Sequence, residues 1–305
     1  MNGMLINRLI LAPALLLVSG CLGAREPGQP AAARPASFVL WQLPNQTQSQ
    51  IMSYVIQTTG DKIIVIDGGT TGDAAYLKGF LAALGNEVEA WIMSHAHDDH
   101  FGALAAILNT PDAPRIKTLY GSMPTLEWTK QHCYSADADL KPYEKYLQAV
   151  QQANLHEVDL ALGADFMIDT VRVEVLGVRN PEITENALNN SSLVWRMSDA
   201  GKSVLFTADL GVEGGRKLMS SPYAKRLPAD YVQMAHHGQT GVDEAFYQAV
   251  NPTYCLWPTP RWLWDNDKGG GKGSGPWKTL QVRAWMDKLA IHHHYVMADG
   301  LCRIE

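Results

Sequence analysis

The tightest constraint in this chain is nine residues long. Ile92-Met93-Ser94-His95-Ala96-His97-Asp98-Asp99-His100 starts as the end of an apolar strand, Glu89–Ser94, and then sets down three imidazoles and two carboxylates within six residues. In extended backbone alternate side chains share a face, so His95 and His97 point the same way, while Asp99 and His100 follow from the next turn. Imidazole and carboxylate are the usual ligands of zinc and other first-row divalent ions. A solvated turn needs no such density of donors directly after a buried strand. The stretch therefore predicts a sheet edge that carries metal chemistry.

The rest of the chain alternates between strand-like and helix-like runs. Phe38–Gln42, Ile51–Thr58 and Lys62–Ile66 read as strands, with turn signals at Pro44-Asn45 and Gly60-Asp61. Asp73–Leu84 has apolar residues at helical spacing, with Asp73 as its N-cap and Gly85 closing it. A helix is expected over Gly102–Leu108 and a strand over Arg115–Tyr120. Residues 121–158 are more polar and helical and are expected to be an insertion. Strands follow at Phe166–Leu176, Ser192–Met197, Ser203–Thr207 and Tyr231–Ala235. Helices are predicted at Ala245–Val250 and Thr279–Leu289, then strands at Tyr295–Ala298 and Leu301–Ile304. Two such alternations predict an α/β chain, an αββα sandwich of two mixed sheets between helical layers. The composition agrees: 46% hydrophobic and 18% charged residues over 305 positions exclude a disordered, collagen-like or coiled-coil chain. The glycine-rich run 269–275 is a loop without the glycine-lysine-hydroxyl order of a phosphate loop.

The amino terminus reads as an address. Arg8 precedes an apolar stretch, Leu9–Val18, that is too short to span a bilayer and the right size for a signal-peptide core. Val18-Ser19-Gly20-Cys21 resembles the lipobox of bacterial lipoproteins, in which cleavage precedes a cysteine that is then acylated. The expected organisation is a signal peptide over 1–20, a lipid-anchored tether over 21–37 and a catalytic domain over 38–305. Cys21 would hold the protein at the membrane of a bacterial cell envelope. Cys133, Cys255 and Cys302 are too few and too scattered to be a disulfide framework.

His95-x-His97-x-Asp99-His100 is similar to the metal-binding motif of the metallo-β-lactamase fold superfamily. The resemblance extends to Ile66-Asp67-Gly68-Gly69 ahead of that motif. It continues to Phe206-Thr207-Ala208-Asp209, whose aspartate resembles the family's metal-bridging one, and to Met234-Ala235-His236-His237-Gly238. Order and spacing agree across 38–305. Many members carry a Gly-His pair between the first motif and the bridging aspartate. Here His132 and His156 are the histidines in that interval, neither in that context, and Asn189-Asn190-Ser191-Ser192-Leu193-Val194 stands in the expected place. This departure and the His-His-Gly motif resemble the branch of competence-type DNA-uptake nuclease domains and phosphorylcholine esterases, and speak against a true lactamase or a glyoxalase-type thioesterase.

The resemblance implies two divalent ions, zinc or manganese in its place. His95 and His97 would hold one, Asp99, His100 and one of His236 and His237 the other, with Asp209 bridging. His236, directly after its strand, is the expected ligand, leaving His237 beside the substrate as donor or proton shuttle. Asp67 would support an imidazole from behind, and waters or the Asn190 and Ser192 region would complete the coordination of the first ion. A hydroxide bridged by the two ions would attack phosphorus in line, with Asp99 and His237 as the catalytic side chains. The implied function is an exported, lipid-anchored phosphodiesterase acting on a small-molecule or cell-envelope substrate. Hydrolysis of lactams, lactones or other carbonyl substrates is the alternative on the same fold, and a non-catalytic surface binding module the alternative outside enzymes. A net charge of −6 argues against a stable nucleic-acid partner, though it leaves nucleic acid open as a substrate. The aromatic run Trp257-Pro258-Thr259-Pro260-Arg261-Trp262-Leu263-Trp264 is expected to be a recognition wall, with Trp257, Trp262 and Trp264 stacking on substrate. His292-His293-His294 opens a predicted strand and reads as a set of edge or surface histidines.

Overall fold

Runs rich in Val, Ile, Trp and Tyr become strands here because their branched and aromatic side chains fill both faces of a covered sheet. A computed structural model describes residues 36–305; the apolar start, Cys21 and all but the last two tether residues lie outside the described residues. The strands in chain order are β1 (Val39–Gln42), β2 (Ser53–Gln57), β3 (Ile63–Asp67), β4 (Glu87–Ile92), β5 (Arg115–Gly121) and β6 (Glu157–Asp159), then β7 (Asp165–Ile168) and β8 (Val171–Gly177). They continue with β9 (Val194–Ser198), β10 (Ser203–Phe206), β11 (Tyr231–Gln233), β12 (Tyr254–Trp257), β13 (His293–Val296) and β14 (Cys302–Ile304). One sheet has the order β14-β1-β2-β3-β4-β5-β6, the other β13-β12-β11-β10-β9-β8-β7. Each is mixed. The β3-β4-β5-β6 and β10-β11-β12-β13 halves are parallel, and the remaining pairs are antiparallel.

Alternation along the strands sorts the core into three layers. Tyr54, Ile64, Ile66 and Ile92 of the first sheet meet Val173, Trp195, Phe206 and Leu256 of the second. The opposite face of the first sheet, with Val55, Val65 and Trp91, is covered by Leu77 and Leu81 of α1 (Ala74–Ala83) and by Phe101 and Leu104 of α2 (Asp98–Leu108). The outer face of the second sheet is covered by α6 (Val212–Met219), α7 (Glu244–Val250) and α9 (Thr279–Lys288), through Leu218, Phe246, Tyr247 and Met286. Helix α4 (Lys141–Gln152) and the shorter α3 (Leu126–His132), α5 (Ala187–Asn190) and α8 (Arg261–Trp264) complete the set. The result is the αββα sandwich expected from the sequence. Among the described residues no helix is long and apolar enough to cross a membrane.

Several expectations change in detail. The segment 121–158 is not an insertion set on the fold. Tyr143, Tyr146 and Val150 of α4 are buried against α2, with the Phe101 and Tyr146 rings 5.0 Å apart, and β6 extends the first sheet. It is the crossover of a β–α–β unit, disguised by the polar outer face of α4. Helix α2 starts at Asp98 instead of Gly102, so Asp99 and His100 ride its first turn with His97 as N-cap. Helix α6 is hidden in the sequence by Gly214-Gly215, poor helix formers that the packing requires. A Cβ on Gly215 would lie 2.8 Å from Val242 Cγ1. Among the described residues Cys133, Cys255 and Cys302 form no disulfide.

The tryptophan wall is also corrected. Trp257 is fully buried in β12, donates from Nε1 to His294 Nδ1 at 3.0 Å, and meets Trp264 edge-on at 5.1 Å. Trp264 lies beneath the Arg283 guanidinium, 4.1 Å from its ring centre. Both rings therefore serve packing. Trp262 is half-buried and donates to the Gln48 carbonyl at 2.8 Å, tying the β1–β2 loop to the second half of the chain. Trp257→Ala is expected to cost about 3–5 kcal/mol in urea unfolding, the range for a truncated core aromatic. A change below ~1 kcal/mol would contradict its core role.

Candidate metal centre

The parallel strands β3, β4, β10 and β11 all end at the same edge of the sandwich, the usual place for ligands on parallel sheets. Asp67 closes β3, and His95 and His97 leave β4. Asp209 follows β10, and His236 and His237 follow β11. The backbone is bent sharply here. Asp67, Ala208, His236 and His237 have φ of 52°, 47°, 49° and 55° without being glycine, and Gly238 follows at 77°. Each non-glycine left-handed residue costs roughly 1–2 kcal/mol, a cost the surrounding packing sustains. A Cβ on Gly238 would fall 2.4 Å from Trp257 Cε3, so the turn must end in glycine.

Hydrogen bonds behind the imidazoles fix which nitrogen faces the centre. The fully buried Asp67 carboxylate accepts from Ser94 N at 2.8 Å, Ser94 Oγ at 2.6 Å and His100 Nδ1 at 2.7 Å. Ser94 Oγ spends its proton on Asp67, so at 3.1 Å it accepts from His95 Nδ1. His237 Nδ1 donates to the Pro258 carbonyl at 3.0 Å. The Nε2 atoms of His95, His100 and His237 are thereby left facing inward. There His95 Nε2 lies 3.0 Å from His97 Nδ1. His100 Nε2 lies 3.4 Å from Asp209 Oδ1, and His237 Nε2 lies 3.1 Å from Asp99 Oδ2 and 3.3 Å from Asp209 Oδ2.

This arrangement fits a pair of cations. His100 Nε2, His237 Nε2 and Asp209 Oδ1 are buried and make no well-formed hydrogen bond, an orphaning that native interiors avoid unless an ion or another partner is intended. Donor atoms of His95, His100 and Asp209, and of Asp99, His100 and His237, lie within 4.8 Å of one another in two groups. Without ions, protons do part of their work. Burial pulls His100 and His237 down, but Asp209 and its neighbouring carboxylates outweigh it, holding His100 well above the ordinary range and His237 at about 9. Burial alone pushes Asp99 and Asp209 up, yet the facing imidazoles leave both below the usual carboxylate range. His95 and His236 are lowered, burial being the largest cause.

The roles expected of His236 and His237 do not match their positions. His237 is fully buried with Nε2 on two carboxylates, and no room is left for it to shuttle protons to a substrate. His236 is partly open, its side chain 17% exposed, with Nε2 3.8 Å from Asp209 Oδ2. Two consecutive left-handed residues put the first imidazole at the rim and the second inside. Asn190 is not turned toward the donors either. Its Oδ1 accepts from Gly211 N and Gly214 N at the start of α6, and its Nδ2 donates to the Glu185 carbonyl and Glu213. Ser192 Oγ accepts from Asp209 N at 3.1 Å, supporting that residue through its backbone. Sequence reasoning missed Ser94, which joins Asp67 to His95, and Asn189, whose Nδ2 stands 3.5 Å from His236 Nε2. Each sits beside a motif already singled out, the only signal available. The His294 imidazole belongs to the packing around Trp257.

Comparison with known proteins agrees with this picture. A family model of the metallo-beta-lactamase superfamily matches residues 47–245. The chain is similar to ComE operon protein 3 of Bacillus subtilis, 29% identical over 179 residues, 58% of this chain and 21% of that protein. It is also similar to a UPF0173 metal-dependent hydrolase of Cupriavidus taiwanensis, 39% identical over 90 residues, 29% of this chain and 28% of that protein. The chain thus matches less than a third of the length of either relative. Among solved structures, the metallo-beta-lactamase fold protein YhfI from Bacillus subtilis has a TM-score of 0.52 at 13% identity, covering 88% of this chain and 100% of that one. At that identity the likeness is one of fold.

The electrostatics predict how the metal-free protein responds to pH. The folded value of His237 is about 9 against an ordinary 6.5. Its charged form contributes on the order of 3 kcal/mol below pH 6.5, lost as pH rises toward 9. His95 and His236 are shifted the other way: the folded chain keeps them neutral, so their protonation favours unfolding as pH falls below 6.5. Melting temperature in chelator should peak near pH 6.5 and fall on both sides, and stoichiometric zinc should abolish the alkaline fall. A chelated melt that stays level from pH 6.5 to 9 contradicts the coupling.

Proposed function

Because the chain belongs to the metallo-beta-lactamase superfamily, whose centre here is that of a metal-dependent hydrolase, we propose that it hydrolyses phosphodiesters. The observation that carries this reading is the Asn189–Ser192 segment, histidine-free where many relatives place a Gly-His pair, facing the His236-His237-Gly238 turn. That combination is the one shared with the competence-type branch, and the likeness to ComE operon protein 3 supports it.

In this reading His95, His97 and Asp209 would hold one divalent ion, and Asp99, His100 and His237, with Asp209, the other. Such ions supply Lewis acidity, lowering the pKa of water toward ~7 and drawing charge off phosphoryl oxygens. The chain supplies position. Asp67 and Ser94 hold His95 and His100 in one tautomer, the Pro258 carbonyl does so for His237, and Ser192 holds the Asp209 backbone. Asp99 keeps 16% of its side chain exposed and is charged, so it can accept a hydrogen bond from an incoming water. No covalent intermediate is needed. Ser94 Oγ is committed to Asp67, and burial pushes the Cys255 thiol up to about 12. Trp262 is the member of the aromatic run retained as a substrate contact, since its ring remains partly open. The protein is exported and tethered through a lipid on Cys21, acting on a phosphodiester in or near the cell envelope.

The metal-loaded protein should turn over bis-p-nitrophenyl phosphate or a short oligonucleotide, and Asp209→Ala should lower kcat/KM by at least 1,000-fold. Turnover of lactam or lactone substrates with no diester cleavage would refute the substrate assignment. For the anchor, Cys21→Ala should move the protein from the membrane fraction to the soluble fraction. Unchanged partitioning rejects lipidation.

A further inference from the structure

The His95 side of the centre has two imidazoles and Asp209, and the usual loop histidine is absent. We infer that His236 supplies the third imidazole on that side, so that the consecutive pair His236-His237 serves both ions, one residue each. The inference rests on the metal-ligand reading above and extends it to the rim histidine left without a role.

Distances carry it first. Asp209 Oδ2 has His95 Nε2 at 3.9 Å and His236 Nε2 at 3.8 Å, and His97 Nδ1 stands 3.0 Å from His95 Nε2. Atoms bound at about 2.1 Å to one tetrahedral zinc stand roughly 3.4 Å apart, and each of these three separations lies within about half an ångström of that, although His236 stands outside the groups of donors within 4.8 Å and its ring must swing inward to share the ion. Tautomer is the second support. Thr240 Oγ1 lies 3.3 Å from His236 Nδ1, a partner for an Nδ1 proton, while the Asn189 Nδ2 donor approaches Nε2 at 3.5 Å. An imidazole with its proton held at Nδ1 and its Nε2 lone pair aimed inward is what a metal ligand requires.

The backbone is the third. One left-handed residue would suffice to turn the chain and aim a single imidazole. Two in succession, at φ 49° and 55°, double the strain and gain one thing, a second ring on the same edge of Asp209. The neighbouring Asn189 donates from Nδ2 to Asn186 Oδ1 at 2.9 Å, while its Oδ1 is buried without a partner, so its side chain is held at the position of the usual histidine without supplying an imidazole. His236 fills the gap that Asn189 leaves.

His236→Gly tests this directly. Glycine accepts φ near +50° without strain, so the variant keeps its turn and only the imidazole is lost. Zinc and cobalt(II) are titrated into chelator-stripped full-length protein by calorimetry, bound metal is counted by elemental analysis, and the cobalt(II) d–d spectrum is recorded. The expected result is one ion of the wild-type complement lost or weakened at least tenfold, with a changed cobalt spectrum and an unchanged chelated melting temperature within about 2 °C. Binding of the same number of ions with affinities within threefold of wild type and an identical spectrum overturns the inference. Wild-type protein that binds ions normally but cleaves no diester would reject the substrate proposal and leave this one standing. A wild-type chain that takes up no divalent ion would reject both.

Discussion

The buried carboxylate of Asp67 is the contact on which the rest of the centre depends. An isolated carboxylate in a protein interior costs several kcal/mol, and here three donors from one short segment and the helix after it meet that cost. The same three bonds join the end of β3 to the end of β4 and to the first turn of α2, so register, helix start and imidazole orientation are set together. Gly68 makes the approach close enough. A Cβ there would meet Leu77 Cδ2 at 3.0 Å and Ala103 Cβ at 3.2 Å. Trp91 closes the arrangement by donating from Nε1 to the Asp67 carbonyl at 2.8 Å.

The second half repeats the device with an amide. Gln233, fully buried at the end of β11, accepts from Thr207 N and donates to the Ala208 and Met234 carbonyls, stapling the ends of β10 and β11. His236 N then donates to the Ala208 carbonyl at 2.9 Å, which launches the left-handed turn. The halves are tied where Leu193 N donates to the Ser94 carbonyl at 2.8 Å, next to Ser192 on Asp209. Asp209 sits between two rigid edges, one set by a carboxylate and one by an amide. Its oxygens reach donors from both because neither edge is a free loop.

The sandwich and the donor residues were legible in the sequence because both depend on local quantities. Alternation in β3 separates Ile64 and Ile66 from Ile63 and Val65, and the densest run of His and Asp marks the end of β4. The assignment within His236-His237 was not legible. The strand expected over Tyr231–Ala235 puts His236 directly after its end, whereas β11 stops at Gln233, and the left-handed kink that sets His237 inside leaves no trace beyond the following glycine. Trp257 misled for another reason, since aromatic richness marks a stacking wall and a covered parallel strand equally well. In Asn189-Asn190 the choice between neighbours turned on α6, a helix whose two glycines conceal it, because the α6 amides are what claim Asn190.

Charge ties the centre to the rest of the molecule. The chain carries a net charge of −6, and Asp67, Asp98, Asp99 and Asp209 are gathered at one edge, a poor place for an anionic substrate by itself. Neutral imidazoles do not reverse that sign, but protonated ones do so only in part and forfeit the lone pairs that ions need. Protons and divalent ions therefore compete for the same Nε2 atoms, and uptake of one releases the other. The carboxylates that hold His100 and His237 protonated in the metal-free chain are the groups that favour a cation once those protons leave. A centre built this way loses its attraction for anions when its ions are stripped while keeping its fold, since the Asp67 and Gln233 staples do not involve the ions at all.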